Sequence, residues 1–497
     1  MRRIAYPSPV GGSRANPPIL LTARVFLCAV TMWLIVNCAA ASTSPHFGGI
    51  LRVKISERVA TVDPRQWPSN SIQAAASERL ASLVFDRLVR FDDHGSVQSV
   101  LAISWEHDGG AKRWQFRLRG DVKFADGSPL TAEASALALQ QLLGNEFDVS
   151  ATSDSVVILA DHSLPDLPAQ LATGRYFIFH SAADGTLSGT GPFRVTEWPA
   201  GDAPGKVVFS ANESCWEGRP FVDRIELTMG ANFEQQANAI AFGQADVVEL
   251  PASQVRLVGQ RGVRTASSDP VELFALQFDL ARPAVQDARL REAISAAVDR
   301  ASIADVVLQR QGVPAGGLLP NWLSGYAFLF PTPLDLARTR ELLTAIGRKV
   351  SRAAPLVLVY DSGDDEARAV AERVAVNLKE AGIAVQLSAQ TMGSATKPWA
   401  GDMRLVHQRI TSPDPAVALS GLLDSLGEPI PALDTPQQDY AAERAPIDAF
   451  RVIPLVHVTE SYGLGPQVRD WMAPRWGGWR LEDVWLEPAP AAGGTTP

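Results

Sequence analysis

Apolar and polar residues alternate along two early segments of the chain, residues 48–55 and 114–119. In the second segment Trp114, Phe116 and Leu118 fall on one face, because successive side chains of a strand point to opposite faces of a sheet. Such a period of two predicts a half-buried β-strand in each segment.

The residues on either side of the second segment predict a hairpin followed by a helix. Asp108, Gly109 and Gly110 separate two alternating stretches, and glycine adopts the positive φ of a tight turn without steric strain. Thr131 precedes the sequence AEASALALQQLL, in which the apolar residues have helical spacing. Threonine is a favoured N-cap, so we expect a helix to begin after it.

Longer apolar patterns predict helices at residues 71–92, 287–308 and 334–347, and a helix ended by a glycine within 231–243. Residues 355–390 have the pattern strand, helix, strand, which indicates a βαβ unit with a right-handed crossover. Further strands are predicted at residues 153–160, 176–181, 189–198, 206–212, 224–229, 244–250, 274–280, 402–408 and 452–465. Residues 423–449 carry no strong signal.

The order of these elements predicts a discontinuous α/β architecture, with one lobe from early and late segments and another from the middle of the chain. The chain has 497 residues, of which 46% are hydrophobic and 20% charged, and this suits a soluble protein with a large core. Its net charge of −9 argues against a nucleic-acid partner, since such proteins carry a basic surface.

The N-terminus has the pattern of a secretory signal. Residues 1–24 hold four arginines and no acidic residue, and residues 25–36 form an apolar run too short for a comfortable membrane span. Small residues follow at 39–42, so we expect cleavage near Ala41 and a mature chain in an extracytoplasmic space. Two alternatives stay open: an uncleaved signal anchor, and lipidation at Cys38, whose preceding residues loosely resemble a bacterial lipobox.

After such cleavage Cys215 would be the lone cysteine, and a single cysteine forms no internal disulfide. The sequence contains no HExxH, CxxC, G-x-S-x-G or Walker A motif, and the GTGPFR stretch at 189–194 lacks the third glycine of a dinucleotide fingerprint. The sequence therefore predicts no catalytic residue, no metal site and no cofactor.

Two groups of residues allow a chemical as well as a structural interpretation. His407 and Asp414 could form part of an acid–base set, although a polar cleft or surface histidine is the favoured interpretation. Asp361, Asp364 and Asp365 could bind a cation, although carboxylates also suit the positive end of the helix that follows them.

Seven blocks of the chain, in order, resemble the extracytoplasmic solute-binding proteins of peptide-type ABC importers, the family 5 group that includes dipeptide- and oligopeptide-binding proteins. The most specific block is LAISWEHDGGAKRWQFRLRGDVKFADGSPLTAE. The other blocks are GGILRVKI with TVDP, LVFDRLVRFDDHG, GTGPFRVTEW with NESCWEGRPFVDRIEL, AFGQADV, RPAVQDARLREAISAAVDRASI, and IPLVHV with WGGWRLEDVWL.

The resemblance implies a two-lobed periplasmic binding protein fold of type II, of the large peptide-binding-like cluster, with an extra subdomain in the first lobe. The implied division is a signal peptide at 1–41, lobe I at 48–270 with a subdomain at about 82–186, lobe II at 271–451, a return to lobe I at 452–486 and a disordered tail at 487–497. The lobes would close on a ligand by hinge motion.

The function implied by the resemblance is peptide transport: a monomeric, periplasmic ABC transporter component that binds a peptide or similar-sized polar solute and docks on membrane permease subunits, without catalysis. The alternatives are a sensor or chaperone-like protein that uses the same fold without transport, and a secreted hydrolase. The expected ligand-binding residues are Trp67, Ser69, Trp322, Tyr326, His407, Gln408, Arg409 and Thr411.

One departure from the family pattern concerns Thr411. In peptide binders of this family the matching position carries an aspartate that pairs with the free α-amine of the peptide, and a threonine supplies no such charge. We therefore expect free dipeptides to bind poorly, and Thr411→Asp to improve their binding, as calorimetry would measure.

Overall fold

The fold is that of a computed structural model, which describes residues 44–67, 72–92, 94–182, 185–199, 205–347, 354–391, 399–476 and 479–488. The predicted signal segment with Cys38, the predicted ligand residue Ser69 and the tail from residue 489 lie outside the described residues. No helix in the described ranges combines the length and the apolar character needed to cross a membrane.

The strands are β1 (Ile50–Lys54), β2 (Asp86–Arg87), β3 (Val89–Phe91), β4 (Val97–Ser99), β5 (Ala102–His107), β6 (Arg113–Leu118), β7 (Phe147–Thr152), β8 (Ser155–Ala160), β9 (Phe177–Ile178), β10 (His180–Ser181), β11 (Leu187–Ser188), β12 (Phe193–Glu197), β13 (Lys206–Ala211), β14 (Arg224–Thr228), β15 (Val247–Leu250), β16 (Arg264–Phe278), β17 (Gly312–Pro314), β18 (Leu356–Asp361), β19 (Val385–Gln390), β20 (Met403–Arg409), β21 (Val452–Leu464), β22 (Val468–Arg469) and β23 (Trp485–Leu486).

The α-helices are α1 (Ile72–Ala81), α2 (Ala132–Leu143), α3 (Leu167–Leu171), α4 (Phe233–Ala241), α5 (Val255–Gln260), α6 (Ala288–Ala297), α7 (Arg300–Ser302), α8 (Asn321–Ser324), α9 (Leu336–Ala345), α10 (Asp365–Glu380), α11 (Pro415–Leu426) and α12 (Pro436–Asp448).

One large sheet runs through both halves of the molecule in the order β12-β13-β14-β1-β15-β21-β16-β20-β18-β19, with β17 also paired to β21. The long antiparallel strands β16 and β21 belong to both halves: Arg264 pairs with Leu464 beside β15, and Gln277 pairs with Val452 beside β20. Between these ends the register is irregular on both sides of Pro270, which has no N–H to give to the ladder.

Separate apolar clusters lie on the two sides of this crossing. The first packs around Leu51, Phe209 and Tyr462, and the second around Phe274 and Val370. Buried apolar surface is the main stabilising contribution to each half. Strand β16 continues through residues 270–271 and β21 begins at Val452, and the lobe boundaries given above stay predictions.

A four-stranded sheet, β5-β6-β8-β7, forms a further unit with its own apolar cluster. The predicted hairpin is confirmed: β5 and β6 are antiparallel, and Trp114, Phe116 and Leu118 are buried on one face. The expected positive φ at the glycines of its turn is wrong, because Ala111 adopts it, at 48°, and neither Gly109 nor Gly110 does. The predicted N-cap is also confirmed, because the Thr131 hydroxyl accepts a hydrogen bond from the Ala134 N–H at 3.1 Å. Residues 114–133 thus form a strand, a turn and a helix start of this unit.

The predicted helix over residues 71–92 is wrong in its second half. Helix α1 ends at Ala81, and the Phe85 N–H donates to the Ala81 carbonyl at 2.8 Å as the chain turns away. The residues that follow helix α1 form β-strands instead: β2 pairs with β9, and β3 pairs with β4. Long-range pairing therefore overrides the local helical spacing.

The predicted helix over residues 287–308 is also interrupted. Val298 is extended, and Asp299 begins a second short helix by accepting the Ser302 N–H at 3.0 Å. The break places the buried Arg300 guanidinium beside the chain of β21, where its Nε donates to the Pro454 carbonyl at 2.8 Å. The helical spacing thus breaks where Arg300 forms a hydrogen bond to a residue 154 positions away in the sequence.

Residues 423–449 carried no strong signal, yet helix α12 lies within them and the end of helix α11 overlaps their start. Both start with proline at their first position, and the side chains of Asp414 and Thr435 cap them. Proline and a capping residue at a helix start are a recognisable pair, so this signal was present in the sequence. The βαβ unit is confirmed, with β18 and β19 parallel and α10 between them.

Candidate ligand-binding cleft

A cavity of about 1870 Å³ lies where the two halves of the large sheet meet. The first half supplies residues after β1, on α1, before α4 and at the end of β15. The second half supplies residues between β18 and α10, on β20, and after α11. Residues of β16 and β21 also line it, so both crossing strands reach the cavity.

The first wall is built on a buried arginine of α1. Arg79 forms a salt bridge to Glu249 at 2.6 Å and a second one to Glu460 at 3.5 Å. Its Nη1 also donates to the Tyr462 hydroxyl at 3.4 Å. Glu249 lies on β15, and Glu460 and Tyr462 lie on β21, so this guanidinium joins a helix to two strands.

Arg409 on β20 extends the network into the second half. Its Nε lies 2.5 Å from Glu460 Oε1, and the two side chains are 1% and 5% exposed. Burial alone raises the pKa of Glu460, but Arg409 and Arg79 outweigh it and lower the pKa. Glu460 therefore stays ionised, and it connects both halves beside the crossing strands.

The second wall centres on His407. Its Nδ1 lies 2.6 Å from Asp364 Oδ2 and its Nε2 lies 3.1 Å from Glu272 Oε2. The imidazole also stacks on Phe274, with ring centroids 3.9 Å apart. Burial by itself lowers the pKa of His407, but the charges of Asp364 and Glu272 raise it well above 6.5. The geometry suits an imidazolium that donates both N–H groups.

We expect the His407 ring to be doubly protonated at pH 7.5. Because its pKa is raised in the folded state, its stabilising contribution is complete below about pH 6.5 and is lost as the pH rises through the folded-state pKa. Nitrogen-15 NMR of the ring checks this.

His457 is a control within the same protein. Burial lowers its pKa to about 4, and its Nε2 lies 2.9 Å from the Leu318 carbonyl oxygen. It should be neutral at the same pH. A neutral His407 ring at pH 7.5 would contradict the assignment.

Of the expected ligand residues, the cavity brings together His407 and Gln408. Trp67 does not line it: its side chain packs in the first apolar cluster, edge-on to Phe177 at 5.9 Å, and is 6% exposed. Arg409 lies behind the wall, where Glu460 occupies its guanidinium.

Three more of the expected residues lie away from the cavity lining. Trp322 donates from Nε1 to the Pro270 carbonyl at 2.8 Å and stacks on Trp476 at 5.9 Å. Tyr326 packs edge-on to Tyr440 at 5.4 Å. Thr411 follows β20 and is half-buried, but it is not among the described lining residues.

Sequence reasoning singled out Asp361, Asp364 and Asp365, which line the cavity. It missed the other lining carboxylates, above all Glu57, Glu249, Glu272 and Glu460. Glu272 and Glu460 carry a signal, because each interrupts a largely apolar strand, and buried charge of that kind needs a partner. Glu57 and Glu249 carry no such signal, since Glu57 follows a short strand and Glu249 lies near the end of another.

The structure also bears on the acid–base set and the cation site that the sequence allowed. His407 contacts Asp364 and Glu272, while the carboxylate of Asp414 caps α11 by accepting the Val417 N–H at 3.0 Å. Asp364 caps α10 through the Ala367 N–H at 2.8 Å, as the helix-cap interpretation predicts. Over the ranges that the structure describes, no group of three or more His, Cys, Asp or Glu side chains is arranged to hold a metal ion.

Two halves that share crossing strands and border a large cavity with many charged side chains define a two-lobed binding protein. The family model of the bacterial extracellular solute-binding proteins, family 5 (Middle), matches residues 96–440. The chain therefore belongs to family 5 of the bacterial extracellular solute-binding proteins, and the predicted family and fold class are confirmed.

Known relatives agree with this membership. The nickel-binding periplasmic protein of Escherichia coli is 26% identical over 400 residues, which are 72% of this chain and 74% of the relative. The oligopeptide-binding protein AppA of Bacillus subtilis, solved with a nonapeptide, superposes with a TM-score of 0.76 at 16% identity over 90% of this chain and 100% of that one.

NikA of Staphylococcus aureus, solved with Ni(L-His)2, gives a TM-score of 0.75 at 16% identity over 88% of this chain and 100% of that chain. At such identities the structural likeness establishes the fold alone.

Proposed function

We propose that the protein is the extracytoplasmic solute-binding component of an ABC importer. In this proposal it captures a peptide or a polar solute of similar size by hinge closure and delivers it to membrane permease subunits. The observation that carries the proposal is the 1870 Å³ cavity bounded by both halves of one sheet. Its volume exceeds the usual ~300–1,000 Å³ of small-molecule pockets, which leaves room for a ligand with its water.

The hinge is assigned to the irregular part of β16 and β21. The ladder shifts register between Ser267 and Pro270 and again before Glu272, so local bending there breaks few hydrogen bonds. Beside this point Trp322 stacks on Trp476 at 5.9 Å, and Arg475 pairs with Asp269 at 3.0 Å. A ligand drives closure only through contacts that are stronger in the closed form.

The proposed ligand contacts are the lining residues of both walls. His407 and Gln408 are kept from the sequence-based set, and Glu57, Asn232 and Glu366 are added from the cavity. Binding without catalysis fits the state of His407, because two carboxylates within 3.1 Å hold both ring nitrogens. Such a ring has no free nitrogen to act as a general base.

The remaining parts of the proposal follow from the sequence and the family. A signal peptide cleaved near Ala41 would export a monomeric chain to the periplasm, and a lipid on Cys38 would tether it to the membrane. Permease docking would use the closed, liganded form.

Native mass spectrometry of the purified protein tests the proposal. We expect a co-purified solute in the intact spectrum that is lost, chemically unchanged, when the protein is denatured. Adding this solute back should restore the original mass. A protein that arrives without solute and binds none from a panel of peptides and polar metabolites would contradict the function, as would one that converts the solute into a product.

A further inference from the structure

The cavity is strongly acidic. Its described lining holds eleven carboxylates, four guanidiniums and one histidine. The four arginines are Arg58, Arg79, Arg404 and Arg451. Arg79 pairs with Glu249 and Glu460, Arg451 with Glu428 at 2.7 Å, and Arg404 contacts Gln277 at 2.7 Å and the Trp399 ring. An anionic ligand would have to compete with these contacts.

Several of the carboxylates also have charged internal partners, but the half-buried Glu57 and Glu366 do not share this arrangement. Glu249 and Glu460 pair with arginines, and Glu272 and Asp364 share His407. Within the described ranges, neither Glu57 nor Glu366 forms a salt bridge. Glu57 Oε2 is a buried atom with no hydrogen-bond partner in the described structure, whereas Glu366 Oε1 accepts the Ala252 N–H at 2.6 Å.

The surroundings of these two side chains determine their protonation. Glu57 follows β1, and it faces Glu249 and Arg79; burial and then the charge of Glu249 raise its pKa well above 4.5, against the opposing effect of Arg79. Glu366 lies in the first turn of α10, and it faces Glu272, Asp364 and His407. Burial and then the charge of Glu272 raise its pKa to about 7, although His407 opposes this.

A buried carboxyl group that forms no salt bridge and therefore stays protonated ionises when a cation arrives beside it, because an opposite charge favours its charged form. We propose that the solute trapped in this cleft carries at least two protonated nitrogen groups, amine or guanidinium, one of which pairs with Glu57 in one half and another with Glu366 in the other. This inference rests on the proposed function and names the class of solute. Closure would then bring both carboxylates to one ligand, and binding would release protons.

Titration calorimetry tests the inference with probes of one length and different charge: the tripeptides Lys-Ala-Lys, Ala-Ala-Ala and Glu-Ala-Glu, with spermidine as a non-peptide cation. We expect the cationic probes to bind at least about tenfold more tightly than the neutral tripeptide at pH 8. Their affinity should fall by about tenfold between pH 8 and pH 6, since a group with a pKa of about 7 must then lose a proton first. The binding enthalpy measured in phosphate buffer should differ from that measured in Tris, because the two buffers take up the released proton with different enthalpies.

The variants Glu57→Gln and Glu366→Gln mimic the protonated carboxyl groups and keep the shape of the cleft. Each variant should bind the cationic probes about tenfold more weakly than the parent protein does. Glu366→Gln should also reduce the change in their affinity between pH 8 and pH 6. Glu146→Gln, at an exposed position outside the cavity, is the matched control and should change neither.

The possible failures are distinguishable. If Ala-Ala-Ala or Glu-Ala-Glu binds as tightly as Lys-Ala-Lys, the inference is overturned while the solute-binding function stands. If the cationic probes do not bind but an uncharged or anionic solute co-purifies, the result is the same. If nothing binds and nothing co-purifies, the proposed function fails first.

Discussion

Replacing Arg409 with leucine should lower the free energy of unfolding by about 3 kcal/mol at pH 7, as urea denaturation would measure. The Arg409 and Glu460 side chains are 1% and 5% exposed, and their nearest charged atoms lie 2.5 Å apart. Removing one partner of a buried pair leaves an uncompensated charge, which costs about 3–5 kcal/mol. Arg79 at 3.5 Å compensates Glu460 in part, so the lower end of this range is expected.

The pH dependence of this loss has a definite sign. The pKa of Glu460 is lowered in the folded protein, so its stabilising contribution is present above the unfolded value of about 4.5 and disappears as the pH falls. Without Arg409 the pKa of Glu460 should rise, and protonation would then relieve the buried charge. The difference between variant and parent should therefore shrink in acid.

Two further variants separate this account from a loss of packing. In the double variant Arg409→Leu with Glu460→Leu no carboxylate is stranded and Arg79 keeps Glu249, so it should be more stable than Arg409→Leu alone. Arg368→Leu removes an exposed pair with Glu372 and should cost under about 1 kcal/mol. If Arg409→Leu is as stable as the parent protein, the pair of Arg409 and Glu460 does not contribute to the stability of the fold.

Replacing Gly189 with alanine should cost about 3 kcal/mol or more. A Cβ at this position would lie 1.9 Å from the Val84 carbonyl oxygen and 2.6 Å from Phe85 Cδ1. The backbone cannot move aside easily, because the Gly191 N–H donates to the same Val84 oxygen at 3.0 Å and the Gly189 carbonyl accepts the Ala125 N–H at 2.8 Å. Overpacking of this kind forces backbone shifts throughout the contact.

Gly120→Ala is the matched control. A Cβ at Gly120 meets nothing within 4 Å, and its φ is not positive, so this change should alter the urea midpoint little. Equal midpoints for the two alanine variants would refute the close approach. The glycine that began an incomplete dinucleotide fingerprint in the sequence is thus explained by packing against the chain after α1.

Local patterns predicted the parts of the fold that local interactions decide. The alternation around Trp114, the capping position of Thr131 and the βαβ unit were all recovered, because one face of a strand or the first turn of a helix is visible in a few residues. The end of α1 at Ala81 could not be predicted, since β2 and β3 exist only through pairing with strands elsewhere in the chain.

The cleft was predicted less well than the fold. His407 and Gln408 were found through the family pattern, yet the partners of His407 lie 43 and 135 residues away in sequence. Trp67 was expected to bind ligand because it lies in a loop, but the folded chain buries it against Phe177. Only the three-dimensional arrangement brings Glu57 and Glu366 into one cavity, and the proposal of a cationic ligand depends on this arrangement.

Small-angle X-ray scattering of the purified protein, with and without its co-purified solute, tests the hinged-cleft account most directly. We predict a smaller radius of gyration at saturating solute, and a return to the larger value when the solute is removed. An unchanged radius of gyration while calorimetry shows the solute bound would contradict a protein that captures its ligand by closing two halves around it.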